Sequence, residues 1–356
     1  MWKTIISMKK FLFAILYYYR TLFLFKRFLN KNSLLLEGKY KFIFCSKPIL
    51  YNVQYHNHVA KYMENDNKYL DFLNFTISIK KHPNKGFCGQ ALRLTVNGKW
   101  QIYDFQNNQV LTVFKDKHIM KKIQYSCNYF KGKLLIPYEK TTDLGIIDKY
   151  IYDNIDMFAT DLPKQKELFL AVMYDIKKFL ILSDDRAVLS LIDYKISWKC
   201  DVLGLNKLLE ELESQISIKS LSKKYVHGDL HIGNILISKE GKLYYIDFEN
   251  SREDVFFYDC FNYIYVDFTY NNNPFLLDAY LDRDVEIMNS FKSLFGAVGF
   301  HFLDTEIIQY LYIFLQRRII ENVKYSFYKK TTKDREMMLV NYKKFYNYIN
   351  DRSDFT

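Results

Sequence analysis

The chain has 356 residues, 49% of them hydrophobic, with 31 Tyr and 30 Phe, which is ample for a sizeable core and suits two lobes better than one. Its formal net charge of +11 is compatible with anionic partners, but the charge is diffuse outside the N-terminus and no RNA- or DNA-binding motif is visible, so nucleic acid is not expected. Five widely spaced cysteines without a Cys-x-x-Cys pair support neither a zinc site nor a redox motif, and reduced thiols in a cytoplasmic protein account for them.

Residues 1–38 form a basic, aromatic segment expected to be helical. Met8-Lys-Lys followed by an apolar run superficially copies a signal peptide, but the uncharged stretch from Phe11 to Tyr19 has nine residues before Arg20 interrupts it. A spanning helix needs about 20 apolar residues. Two readings of residues 1–31 stand side by side, namely an amphipathic helix packed on the protein's own N-lobe and a peripheral contact with an anionic membrane.

From Lys39 to Phe114 the pattern is β-rich, with runs at Lys41-Phe-Ile-Phe, Phe75-Thr-Ile-Ser-Ile, Ala91-Leu-Arg-Leu-Thr-Val, Trp100-Gln-Ile-Tyr and Val110-Leu-Thr-Val-Phe. Asn97-Gly and Asn107-Asn are turn signals between them. His118 to Phe130 reads as a helix, and Leu134-Leu-Ile-Pro and Ile146-Ile-Asp-Lys-Tyr-Ile as two further strands. From Asp153 the character turns helical. Asp161-Leu-Pro opens a long helix through Leu182, Leu205 to Ile216 is a second, and Glu306 to Tyr328 a third whose stripe of Ile307, Leu311, Phe314, Leu315 and Ile319 reads as core packing.

The most informative stretch is Tyr225-Val-His-Gly-Asp-Leu-His-Ile-Gly-Asn-Ile-Leu, followed by Tyr245-Ile-Asp-Phe-Glu. An Asp followed five residues later by an Asn, as Asp229 is by Asn234, has the spacing of a kinase catalytic loop. Asp247 follows Asp229 by 18 residues, in the place of a magnesium-binding carboxylate. Phosphoryl transfer asks a protein for an aligned hydroxyl and for divalent ions on the phosphates, and these residue types supply both. Between them, Asn234-Ile-Leu-Ile-Ser and Leu243-Tyr-Tyr-Ile flank a Lys-Glu-Gly-Lys turn. That pattern predicts a hairpin returning Asp247 to the end where Asn234 lies. His231 reads as a packing or hydrogen-bonding residue.

His-Gly-Asp-Leu-His-x-Gly-Asn-Ile-Leu with a downstream Ile-Asp-Phe-Glu resembles the aminoglycoside phosphotransferase and choline kinase family, the small-molecule branch of kinase-like enzymes. Sharp identity of motif covers residues 225–259. The resemblance implies an α+β, two-lobed protein-kinase-like fold, with a β-rich N-lobe over 39–152 and a mainly helical C-lobe over 153–356. It further implies that Asp229 is the base or hydroxyl-orienting group, that Asn234 and Asp247 are magnesium ligands, and that His227 is a scaffold of the loop. Asp259, twelve residues after Asp247, matches a family Asp and is expected to support the loop.

On the nucleotide side, a hinge at 146–152 would place Asp148 and Tyr150 against adenine. Lys115 is the expected phosphate-pairing lysine, with Lys117 its competitor. Gly86 and Gly89, in Lys85-Gly-Phe-Cys-Gly, could let backbone amides approach phosphates, although an ordinary hairpin is the simpler reading. The helix after Lys115 has no Glu or Asp to pair with that lysine, a departure from the kinase pattern. The expected function is ATP- and Mg2+-dependent transfer of phosphate, from ATP or another nucleoside triphosphate, to a hydroxyl of a small molecule. A sugar, a cell-envelope saccharide or an amino alcohol is the favoured acceptor. The alternative is a degenerate kinase fold that binds nucleotide or a partner without turnover. Oligomeric state leaves no trace in the sequence.

Overall fold

A computed structural model describes residues 2–32, 34–43, 48–59, 75–79, 87–95, 98–151, 161–183, 188–190, 204–325 and 331–353. The chain divides into two compact units, one of residues 1–124 and 137–151, the other of 125–136 and 152–356.

The first unit opens with a 30-residue helix, α1 (Trp2–Lys31). An eight-stranded sheet follows, built from β1 (Gly38–Ile43), β2 (Ile49–Asn52), β3 (Phe75–Ile79), β4 (Ala91–Leu94), β5 (Trp100–Asp104), β6 (Gln109–Val113), β7 (Tyr138–Thr141) and β8 (Gly145–Lys149). Its order is β3-β1-β2-β4-β5-β6-β8-β7 and each pairing is antiparallel. A short helix, α2 (His56–Val59), follows β2, and α3 (Lys117–Phe130) joins β6 to β7.

Strand alternation sorts the apolar residues onto two faces. On one, Phe42, Leu50, Leu92, Ile102, Leu111 and Ile147 are successive cross-strand partners, a continuous apolar row over six strands. The end of α1 covers this row. Phe25 packs edge-on against Phe42 and Trp100, and Phe28 stacks on Trp100 with centroids 4.4 Å apart. Packing on the protein's own sheet therefore holds for residues 18–29 of the N-terminal segment. No described helix is long and apolar enough to cross a membrane. On the other face, Tyr51, Ala91, Tyr103 and Val110 form a second row that ends on Asp148.

Two expectations need correction. Leu134-Leu-Ile-Pro forms no strand. Leu134 makes an isolated bridge with Lys131 and the Leu135 carbonyl accepts from the Tyr245 amide at 3.0 Å, so the strand begins only after Pro137, at Tyr138. Proline lacks the N–H that a ladder position would need. The sequence reading also passed over β2, a four-residue central strand. The turn at Asn107-Asn forms, with Asn108 at a φ of 52°, whereas Asn97 and Tyr152 lie outside the described residues.

The second unit is mainly helical, with α4 (Leu162–Leu182), α5 (Leu205–Gln215), α6 (Tyr258–Tyr270), α7 (Phe275–Leu281), α8 (Val285–Ala297), α9 (Ile307–Tyr325) and α10 (Thr332–Ser353). Asp161 caps α4 by accepting from the Lys164 amide, and Pro163 in the first turn gives up no hydrogen bond there. Within this unit β9 (Val188–Ser190), β10 (Ser220–Val226) and β13 (Arg252–Val255) form a three-stranded antiparallel sheet, and β11 (Ile235–Ile237) pairs with β12 (Leu243–Tyr245) as the expected hairpin. The stripe of α9 is core as expected, with Ile307, Leu311, Phe314, Leu315 and Ile319 all buried.

Candidate active site

The loop that follows β10 is held by polar groups that leave it little freedom. Buried Asp259, in the first turn of α6, accepts from two consecutive amides, that of His227 at 2.7 Å and that of Gly228 at 2.8 Å, one on each carboxylate oxygen. Burial pushes the Asp259 carboxyl above its ordinary value, while His227 and the two amides oppose that rise. His227 is itself buried, and its Nε2 lies 2.7 Å from the Ile246 carbonyl oxygen, tying the loop to the residue before Asp247. Its ring packs on Phe248 with centroids 4.7 Å apart.

Gly228 has a φ of 81°, and a Cβ there would stand 2.3 Å from the Asn250 carbonyl oxygen. Left-handed backbone and close approach both demand glycine. The loop then presents Asp229, half-buried, between buried Gly228 and buried Leu230.

Asn234 ends a 3-10 turn, Ile232–Asn234, that His231 caps by accepting the Gly233 amide on Nδ1 at 3.1 Å. Burial holds the His231 imidazole below its ordinary value, with Asp229 opposing and His227 and Arg318 adding to the fall. A neutral ring suits an acceptor at Nδ1. His231 thus makes the kind of hydrogen bond its residue type suggests.

The Asn234 side-chain amide donates to the Asp229 carbonyl at 2.8 Å, and the Ile246 amide donates to the Asn234 carbonyl at 3.0 Å. These two bonds, with the hairpin pairing Ile235 to Tyr245, bring Asp229, Asn234 and Asp247 to one end of the hairpin. Asp247 is exposed and adopts left-handed backbone, φ 65° and ψ 56°, which turns the chain out of the strand and into the 3-10 turn Phe248–Asn250. An Asp tolerates that conformation better than most residues. Residues 185–291 match the phosphotransferase enzyme family. Asp229, Asn234, Asp247 and Asp259 all lie inside that matched stretch.

Among curated proteins none matches this sequence. Solved structures similar to this chain include a macrolide 2′-phosphotransferase from Brachybacterium faecium, at 10% identity over 72% of this chain and 89% of that one, with a TM-score of 0.43. The choline kinase of Streptococcus pneumoniae is 11% identical over 83% of this chain and 97% of its own, with a TM-score of 0.38. An amicoumacin kinase is 15% identical over 71% and 85%, with a TM-score of 0.42.

Several residues of the candidate site leave little signal in the linear sequence. Asn250 donates from Nδ2 to Asp229 Oδ2 at 3.2 Å. Arg252, on β13, donates from Nη1 to the Gly228 carbonyl at 3.3 Å and to the Asn250 carbonyl at 3.2 Å, bridging the loop and the segment after Asp247. Its Nε meets Asp254, a fully buried carboxylate that Arg317 of α9 also grips at 2.8 Å, and Arg317 in turn meets Glu321 at 3.3 Å. Arg318 bonds Asn262, whose Nδ2 donates to the Leu230 carbonyl at 2.9 Å. The only linear signal for any of these is the position of Asn250, three residues past Asp247. The contacts that tie the remainder to the loop and to α9 run between residues 24 to 63 apart in the chain (252 − 228 and 317 − 254).

The candidates of the first unit fare differently. Gly89 spends its amide on the Leu34 carbonyl at 3.0 Å and accepts from the Leu36 amide, and a Cβ there would sit 2.4 Å from the Tyr103 carbonyl oxygen. It is a close-packing residue and does not offer an amide to phosphates. Gly86 lies outside the described residues. Lys115 and Lys117 are exposed, at the end of β6 and the start of α3. Tyr150 donates its amide to the Asn108 carbonyl at 2.6 Å and sets its ring edge-on to Tyr103 and Phe105. Asp148 is half-buried, and its burial, with Glu139 close by, pushes the carboxyl up to about 7.

The donor set fits a hard cation. With its amide nitrogen committed to Asp229, Asn234 has only its oxygen left to give, and Asp247 offers carboxylate oxygens. Among the described residues no cluster of three or more His, Cys, Asp or Glu forms a metal cage. Magnesium suits such a site, since it takes one or two protein oxygens and completes its shell with water and substrate phosphates.

Proposed function

We propose that this protein is an ATP- and Mg2+-dependent O-phosphotransferase that acts on a hydroxyl of a small molecule. The observation that carries the reading is the bond from the Asn234 amide to the Asp229 carbonyl, closed by the Ile246 bond to Asn234, which fixes base and metal-binding oxygens as one piece. Asp229 would accept the acceptor's proton as the new O–P bond forms and the bond from the γ-phosphorus to the β–γ bridging oxygen breaks. Asn250, donating to Oδ2, holds one carboxylate oxygen and leaves Oδ1 for the hydroxyl. Asn234 and Asp247 would hold the magnesium, whose positive charge offsets the charge that develops on the phosphates. Arg252 and Asp259 keep the loop in register without touching substrate.

Lys115 or Lys117 would steady the nucleotide phosphates and the backbone at Asp148 and Tyr150 would face the adenine, with another nucleoside triphosphate as an acceptable donor. A sugar, a cell-envelope saccharide or an amino alcohol is the favoured acceptor class, and the cytoplasm, where ATP is available, the expected place of work. The test is incubation with γ-labelled ATP, Mg2+ and a panel of sugars, amino alcohols and aminoglycosides, with ATP hydrolysis followed in parallel. Label transfer that vanishes in Asp229→Ala supports the reading. Metal-dependent nucleotide binding with neither transfer nor hydrolysis in the intact protein would replace it with a nucleotide-binding protein that does not turn over.

A further inference from the structure

We propose that the outer face of α1 docks this protein onto an anionic membrane surface. The helix already satisfies its inner face, where Thr21, Phe25 and Phe28 are buried. A surface helix packed in that way ordinarily turns polar residues outward. This one does not. Leu16 is 65% exposed, Tyr19 65% and Phe23 63%, and the three are spaced three and four residues apart along one stripe. Exposed Arg20, Lys26 and Arg27 flank the stripe on the same side.

Charge chooses the occupant. Across its 30 residues α1 carries seven Lys or Arg and no Asp or Glu. Large apolar side chains bordered by cations are what the boundary between headgroups and acyl chains accepts, the rings entering and the cations remaining with lipid phosphates. A second copy of the same helix would set like charge against like. A nucleic acid would use the cations and leave the apolar stripe in water. The interruptions at Arg20, Lys26 and Arg27 keep the helix in the plane of the surface, in agreement with the absence of a spanning helix among the described residues.

The test is co-sedimentation of the full-length protein with vesicles of phosphatidylcholine alone and of phosphatidylcholine containing about one part in three phosphatidylglycerol, at low and high salt. Binding to the anionic vesicles is expected to be about tenfold or more tighter than to the neutral ones and to weaken with salt. The triple variant Leu16→Ser, Tyr19→Ser, Phe23→Ser and the triple variant Arg20→Glu, Lys26→Glu, Arg27→Glu should each lose it. Both sets leave Phe25 and Phe28 in place, and an unchanged thermal transition confirms the fold. Failure to sediment with anionic vesicles would overturn the proposal, as would binding that neither variant weakens. A concentration-dependent dimer dispersed by the serine variant would reassign the face to a second copy, and retention on RNA in place of vesicles would reassign it to nucleic acid.

Discussion

The two units invest their buried polar groups differently. In the helical unit, the loop around Asp229 is fixed by bonds to buried Asp259 on two amides, buried Asn262 on the Leu230 carbonyl and half-buried Arg252 on the Gly228 carbonyl. In the β-rich unit, order comes from an apolar row across the sheet and from aromatic packing, and the lysines proposed for nucleotide stand in solvent at the ends of elements. Chemistry that needs atoms held in place is served by the first arrangement. Grip on a flexible triphosphate tolerates the second, because a lysine is a point charge on a long stem. Rigidity is concentrated at the end proposed to react.

That contrast can be broken most severely at Asp229. Asp229→Ala is expected to lower the rate of transfer about 10⁴-fold, the upper range for loss of a general base, with little change in the melting temperature. Lys115→Ala and Lys117→Ala, measured alongside, should act on the KM for nucleotide far more than on kcat if flexible charge is what they supply.

Arg317→Met tests the buried support. It leaves the fully buried Asp254 carboxylate with Arg252 as its cation and the Val255 amide as its other donor, and a loss of about 3 kcal/mol in denaturant stability is expected. The additional change of Asp254→Leu should restore part of that loss if the uncompensated charge is its cause. Unfolding curves of the two variants decide it.

Gly228→Ala should cost about 2 kcal/mol, because the new Cβ meets the Asn250 carbonyl and φ stays positive. The displaced Asn250 should also slow transfer. Asn250→Ala isolates that second effect, with a fall of about tenfold in kcat, an unchanged nucleotide KM and no change in unfolding.

A pH-dependent test lies in the β-rich unit. Asp148 titrates near 7 in the folded chain against 3.8 when exposed, so the native state holds a proton that the unfolded chain has shed in between. Stability therefore falls as pH rises from about 4 to about 7, and it does not recover above that. Asp148→Asn should match the parent below pH 4 and melt higher than it at pH 8, the gap opening across that window. Equal pH dependence of the two melting curves would remove burial as the cause.

Legibility in sequence followed the same divide. The spacing of Asp229, Asn234 and Asp247, the hairpin between them and the roles of His231 and Asp161 could be read because each depends on neighbours a few residues away or on a turn of known chemistry. The ion network of Arg252, Asp254, Arg317 and Glu321 could not, since nothing in linear order pairs β13 with α9. Gly89 misled because a glycine between β-like runs looks the same whether it opens a path for a ligand or lets two backbones touch. Pro137 closes an apolar run, Leu134-Leu-Ile, that has the look of a strand, yet it stands before the beginning of one. The N-terminal helix showed its composition but not its orientation, and packing fixed that through Phe25 and Phe28.

The hairpin of β11 and β12 has Asn234 at one foot and Asp247 just beyond the other, while its tip from Lys239 to Lys242 points into water and Gly241 has nothing within 4 Å of where a Cβ would stand. A fluorophore or tether attached at that tip would ride on the same rigid ribbon as the reacting end without crowding it. Arrival of a nucleotide could then be followed by energy transfer from a position that takes no part in the chemistry.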